Sequence, residues 1–201
     1  MTRFDIQSLV FETIRSPSTA AARILQINLP KEWLWMALAL MSVLNAMVYS
    51  VSLQLAPPLD PADGIFLPPV LRSPVLLTLF LFAALGLTVV MLHKLGRAMN
   101  GAASLYDILI LITWLQVLRL ALQLVMLVLS LFIPAFGALL GLVATVWGVY
   151  ILAVFVNVAH RYDNTMKSAG VMVLSFLAIA VGMSVLMGLL GGFNMGEIAN
   201  V

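Results

Sequence analysis

One arginine lies inside a long apolar stretch of this sequence, and its position needs a chemical reason. Arg119 is the only charged residue among positions 108–160, and Gln116 and Gln123 share its face of a helix at i, i+3 and i+7 spacing. Asn45 holds a comparable place in another apolar stretch, in a polar series at positions 42, 45, 49 and 52. A guanidinium with amide neighbours can bind an anion, a lipid phosphate or the neutral acceptors of a facing helix.

These four residues, Asn45, Gln116, Arg119 and Gln123, allow two interpretations. The first is that they form hydrogen bonds between neighbouring helices, a common role for polar residues in a membrane. The second is a hydrated anion or lipid-headgroup site, because a charge inside the bilayer is costly and usually functional. No Asp or Glu of the chain is expected at the depth of Arg119, so no carboxylate of its own would neutralise it.

A second pattern is a smooth helical face of small residues. It consists of Gly137, Gly141, Ala144 and Gly148, at i, i+4, i+7 and i+11. Small side chains let two helix backbones approach closely. The pattern favours packing within the bundle, and a dimer interface is the alternative.

Catalysis and metal binding are not expected. The sequence has no Cys, no H-E-x-x-H or G-x-S-x-G motif, and no carboxylate pair within an apolar run. His93 and His160 end apolar runs beside Lys94 and Arg161, so we expect interface histidines without a special role. The chain is therefore predicted to be no enzyme and to need no cofactor or metal. Its net charge of +2 gives no reason to expect nucleic acid.

The composition shows which elements must carry these residues. Hydrophobic residues make up 63% of the 201 residues and charged residues 9%, against roughly 25% charged residues in soluble domains. A helix needs about 20 apolar residues to cross the hydrocarbon. The uncharged runs therefore predict five transmembrane helices, with a turn at Pro134, near 33–55, 74–93, 106–132, 136–160 and 167–190.

Residues 1–32 precede the first predicted span and form a cytoplasmic amphipathic segment, with residues 33–201 as the five-helix domain. Apolar residues from Ile6 to Ile14 recur at helical spacing, and Ser16-Pro17 predicts the N-cap and first position of a second helix that Pro30 ends. These two short helices are expected either at the inner leaflet or packed on the underside of the bundle. The predicted fold class is an all-α polytopic membrane bundle preceded by two short amphipathic interfacial helices.

The Lys and Arg residues predict the orientation. With the N-terminus in the cytoplasm, eight basic residues lie on the cytoplasmic side and Arg72 alone lies outside. We therefore expect a multi-pass protein of the cell inner (cytoplasmic) membrane with an extracytoplasmic C-terminus.

Several short segments, together with the hydropathy layout, resemble a known family over nearly the whole chain. They are Arg15-Ser16-Pro17, Leu29-Pro30-Lys31-Glu32-Trp33-Leu34-Trp35, Gly101-Ala102-Ala103-Ser104, Trp147 and Met166-Lys167-Ser168-Ala169. The family is the bacterial branch of the Ypt-interacting protein (YIP domain) membrane proteins. Its eukaryotic members are Golgi and endoplasmic-reticulum proteins that bind small Rab-type GTPases and one another and help shape or traffic membranes. The resemblance supplies no catalytic residues, and the short tail before the first span argues against GTPase binding.

Two functions fit these observations. The first is a membrane scaffold, a lipid-organising or complex-associating bundle, whose partners are the lipid bilayer and a homo-oligomer or larger membrane complex. The alternative is a small anion or small-molecule permease or channel that uses Arg119. The odd number of spans and the lack of an internal repeat favour the first function.

Overall fold

The computed structural model describes residues 5–27, 29–55, 69–162 and 164–189. In these ranges every regular element is an α-helix, which confirms the predicted fold class. The helices are α1 (Ile6–Arg15), α2 (Pro17–Ile24), α3 (Lys31–Leu55), α4 (Pro69–Arg72), α5 (Pro74–Ala98), α6 (Leu105–Phe132), α7 (Pro134–His160) and α8 (Thr165–Leu189). The chain between α3 and α4 lies outside the described residues, as does the C-terminal tail.

Five of the described helices, α3, α5, α6, α7 and α8, are long and apolar enough to cross a membrane. This confirms the five predicted spans. The largest difference is at the end of α5, which continues to Ala98 where the sequence predicted an end near residue 93. Lys94 and Arg97 are good helix formers, so the helix continues after its apolar run has ended.

The five spans form a closed ring in the order α3, α6, α7, α8 and α5. Each packs against two neighbours, and α5 also contacts α6 across the ring. The turn between α6 and α7 is a single residue, Ile133, because Pro134 occupies the first helical position, where its missing N–H costs no hydrogen bond. α6 and α7 are therefore a tight antiparallel hairpin.

One end of the ring is called the basic end for the residues that it carries: Lys31, Lys94, Arg97, Arg161 and Lys167. α6 begins there with a capping box. The Ser104 hydroxyl accepts from the Asp107 N–H at 3.2 Å, and the Asp107 carboxylate accepts from the Ser104 N–H at 2.8 Å. The hydrophobic core also concentrates towards this end, around Leu92, Ile108 and Phe155.

α1 and α2 pack on the bundle at the basic end, α2 against α7 and α1 against α2. Ser16 stands at the predicted N-cap of α2, but its side chain caps nothing. Its backbone N–H instead donates to the Glu12 carbonyl at 2.7 Å and closes α1. α2 ends at Ile24 rather than near Pro30, because the chain beyond it is held by Tyr106. The Tyr106 hydroxyl donates to the Ile27 carbonyl at 2.6 Å and accepts from the Leu29 N–H at 2.9 Å.

Candidate functional site

The polar stripes of α3 and α6 lie on helices that pack together, yet no hydrogen bond joins their described side chains. Asn45 and Gln116 are both buried. The Asn45 amide donates to the Met41 carbonyl of its own helix at 2.7 Å, and its Oδ1 has no partner. The Oε1 of Gln123 is likewise buried without a partner. These two buried acceptor oxygens therefore have no partner among the described residues, and no described hydrogen bond links the two stripes.

The small-residue face of α7 lies inside the α6–α7 hairpin over its outer half. Gly137 lies against Ser130, and Gly141 lies against Met126. Both contacts follow one antiparallel register between the two helices. The same register pairs Leu111 with Val156 and Ile112 with Phe155, and these four residues line one small apolar cavity.

This register places Arg119 level with Gly148. Arg119 is seven residues, about two helical turns, before Met126 on α6. The two side chains therefore lie on the same side of α6, the side on which Met126 contacts Gly141 of α7. A Cβ added at Gly148 would meet nothing within 4 Å, whereas one at Gly141 would overlap Met126. α6 and α7 are thus in close contact on both sides of this level, towards the turn and towards the basic end, and a gap separates them at the level itself. The opening between Arg119 and Gly148 is called the hairpin window.

Arg119 is exposed at the hairpin window, and it forms no hydrogen bond or ion pair with any described residue. Ala144 is half-buried on the same face of α7. Trp147, next to Gly148 in the chain, is 44% exposed, and its ring packs on Tyr150 with centroids 5.1 Å apart. Trp147 is therefore an exposed aromatic residue at nearly the same level of the hairpin as the window.

Exposed apolar side chains indicate how deep the window lies. Phe132 and Ile133 are 78% and 57% exposed. Large exposed apolar side chains at this turn indicate that it lies at one hydrocarbon boundary and not in water. Trp114 is 18 residues before Phe132, about 27 Å along the helix, close to the roughly 30 Å hydrocarbon thickness. With the boundary at Trp114, we expect Arg119 about 8 Å inside it at the basic end. Residues 108–112, on the basic-end side of Trp114, are buried by protein on every side.

α1 meets the bundle at this boundary. The Trp114 indole donates to the Thr13 hydroxyl at 3.0 Å, and that hydroxyl donates to the Leu9 carbonyl at 2.7 Å. Leu9 and Thr13 are fully buried on one side of α1. Phe11 (62% exposed) and Ile14 (46%) lie away from this buried side and are called the α1 apolar strip; Ile6, 57% exposed, lies at the N-terminal end of the helix.

His160 ends α7 at the basic end, but it is enclosed by protein and is not a surface residue. The residue is 1% exposed, because Gly96 and Gly101 lie directly against its ring. A Cβ at either glycine would overlap the imidazole. Its Nε2 lies 3.2 Å from the Leu92 carbonyl, and its Nδ1 is buried with no partner. We call this arrangement the His160 cluster.

The His160 cluster joins the end of α7 to the α5–α6 connection. The Tyr162 ring stacks on the imidazole at 5.2 Å and 13°, and its hydroxyl donates to the Gly96 carbonyl at 2.7 Å. The Ala102 N–H donates to the His160 carbonyl at 3.0 Å. Burial raises the pKa of Tyr162, so the phenol remains a protonated donor at physiological pH.

The His160 cluster offers structure rather than metal chemistry. The described residues contain no group of three or more His, Cys, Asp or Glu side chains that could hold a metal ion. Sequence reasoning missed this cluster because its glycines lie about sixty residues from His160 in the chain and look like ordinary turn residues.

Comparison with known proteins gives one match. A family model described as the Yip1 domain matches residues 11–186. No curated protein and no solved structure matches the chain. The match includes most of α1 and continues into α8.

Proposed function

Because the chain belongs to the Yip1 domain family and has five helices able to cross a membrane, it is an integral membrane protein, and we propose that it organises lipid in the leaflet at its basic end without catalysing a reaction. The α1 apolar strip is the observation that carries this proposal. Phe11 and Ile14 are exposed on a helix whose other side is fixed to the bundle through Thr13 and Trp114.

The hydrogen bond at Trp114 supports a position of α1 at the membrane interface. A helix held there with apolar side chains facing outward buries them among headgroups and upper acyl chains. Fixing it to five spans keeps the inserted area in one leaflet only. Such a scaffold expands that leaflet and favours membrane that curves towards it.

The proposal includes location and orientation. The excess of Lys and Arg at the basic end supports a cytoplasmic N-terminus in a bacterial inner membrane, with the C-terminus outside. Lipid is the proposed partner. A second copy or a larger membrane complex can join through the exposed surface of α8, whose main contacts among the described spans are with α5 and α7.

Sorting of labelled protein between flat membrane and narrow tubes pulled from giant vesicles tests the proposal. In vesicles with the basic end outside, we expect the wild type to be enriched in tubes. Phe11→Ser with Ile14→Ser should abolish the enrichment, because it removes the apolar area that enters the leaflet. Phe11→Leu with Ile14→Val is the matched control and should keep it. Equal sorting of the serine and control variants would contradict the proposal.

The exposed guanidinium of Arg119 is the observation that favours the second function, an anion permease. That function predicts a path lined by Asn45, Gln116, Arg119 and Gln123. Anion flux into proteoliposomes should then exceed that of empty vesicles and fall in Arg119→Ala. Flux at the level of empty vesicles removes this alternative.

A further inference from the structure

We infer that the hairpin window binds the phosphate group of a phospholipid from the leaflet at the basic end, with Arg119 as its principal ligand. This inference rests on the proposed function only for the placement of the basic end near one hydrocarbon boundary. It does not depend on insertion of the α1 apolar strip.

The first step is the missing counter-ion. Arg119 is exposed and pairs with no described residue. Within the described spans, the acids are Glu32 and Asp107, each in the first turn of its helix at the basic end. A second copy in the same orientation would present its acids at the same depths, so it cannot supply a carboxylate at the level of Arg119.

The second step is reach. The Cα of Arg119 lies about 8 Å inside the boundary near Trp114. Side chains on an α-helix point towards its N-terminus, and the N-terminus of α6 is at the basic end. The guanidinium is therefore directed towards the nearer layer of phosphates, and a long Arg side chain extends to such groups by snorkelling.

The third step is space. Packing of α6 on α7 is close at Ser130 with Gly137 and at Met126 with Gly141, and nothing fills the position beside Gly148. The exposed Trp147, next to Gly148 in the chain, lies at nearly the same level of the hairpin. A phosphate needs donors and room, and these residues supply both at one level of the hairpin.

Native mass spectrometry of the protein with phosphatidylglycerol tests this assignment. We expect the wild type to retain one lipid at collision energies that remove the rest. Arg119→Gln should lower this retention at least about tenfold, the effect of one lost charge-assisted hydrogen bond. Gly148→Leu keeps the charge but fills the window and should lower retention as well. Arg97→Gln, an exposed arginine on α5, is the matched control and should not.

The arms of the experiment separate the sources of the anion. Inorganic phosphate should neither bind nor displace the lipid, and diacylglycerol, which lacks the phosphate, should not be retained. Retention that is unchanged in both Arg119→Gln and Gly148→Leu would overturn the inference. An equal loss in Arg97→Gln, or a second polypeptide in place of the lipid, would overturn it too.

Discussion

At the scale of the residue, the polar groups of this membrane bundle are used in two opposite ways. The Tyr162 hydroxyl and the His160 carbonyl are paired across chain connections at the basic end. Asn45, Gln123 and Arg119 leave polar atoms unpaired further into the membrane. Buried polar groups normally have partners, so we expect a ligand at the unpaired set; the His160 Nδ1 is also unpaired, but Gly96, Gly101 and the Tyr162 ring enclose it.

The glycines of the His160 cluster provide a prediction about stability. Gly96→Ala and Gly101→Ala should each lower the free energy of unfolding by about 1–3 kcal/mol, because the added methyl group overlaps a fully buried imidazole. Gly148→Ala is the control, since its Cβ would enter open space. Reversible unfolding in mixed micelles would measure all three. Equal stability of Gly96→Ala and Gly148→Ala would show that the ring is not held as described.

At the scale of the element, α1 and α2 pack on the bundle, one of the two positions that the sequence left open, and the position of α1 in the membrane interface stays a prediction. Leu9 and Thr13 are buried against the bundle, while Phe11 and Ile14 face outward. The salt bridge between Glu12 and Arg23, at 3.0 Å with the Arg23 side chain 41% exposed, contributes at most about 1 kcal/mol. Apolar contact and the Trp114 hydrogen bond therefore hold α1 in place.

The Trp114 contact gives a prediction for this element. Trp114→Phe removes the bond to Thr13, worth about 1 kcal/mol, so amide exchange over residues 6–15 should become roughly fivefold faster. Trp147→Phe is the matched control, because Trp147 donates to no described residue, and it should leave α1 unchanged. Identical exchange in the wild type and Trp114→Phe would mean that α1 is held without this bond.

At the scale of the whole molecule, the long uncharged stretches of the sequence were enough to predict five spans. An apolar stretch of about 20 residues is typical of a helix that crosses the membrane. The ring order and the His160 cluster could not be predicted, since His160 and Leu92 meet across two helices. The sequence also did not predict that Arg119 lies level with Gly148, because this follows from the register of the α6–α7 hairpin. That register depends on a turn of the single residue Ile133, where the sequence indicated a longer connection.

The orientation is a prediction about the whole molecule. The chain has no native Cys, so single cysteines report sidedness directly. Cysteines at Asn100 and Asn164 should react with an impermeant maleimide only after the membrane is opened, and those at Gly64 and Met195 should react in intact cells. The opposite pattern would reverse the proposed cytoplasmic side.

The position of α1 in the membrane interface is the central claim, and spin-label depth measures it most directly. Single labels at Phe11 and Ile14 in proteoliposomes should be more accessible to oxygen than to a water-soluble nickel chelate. A label at Asp5, exposed on the opposite side of α1 from Ile14, should show the reverse. Labels at Phe11 and Ile14 that prefer the nickel chelate would place the α1 apolar strip in water and contradict the account.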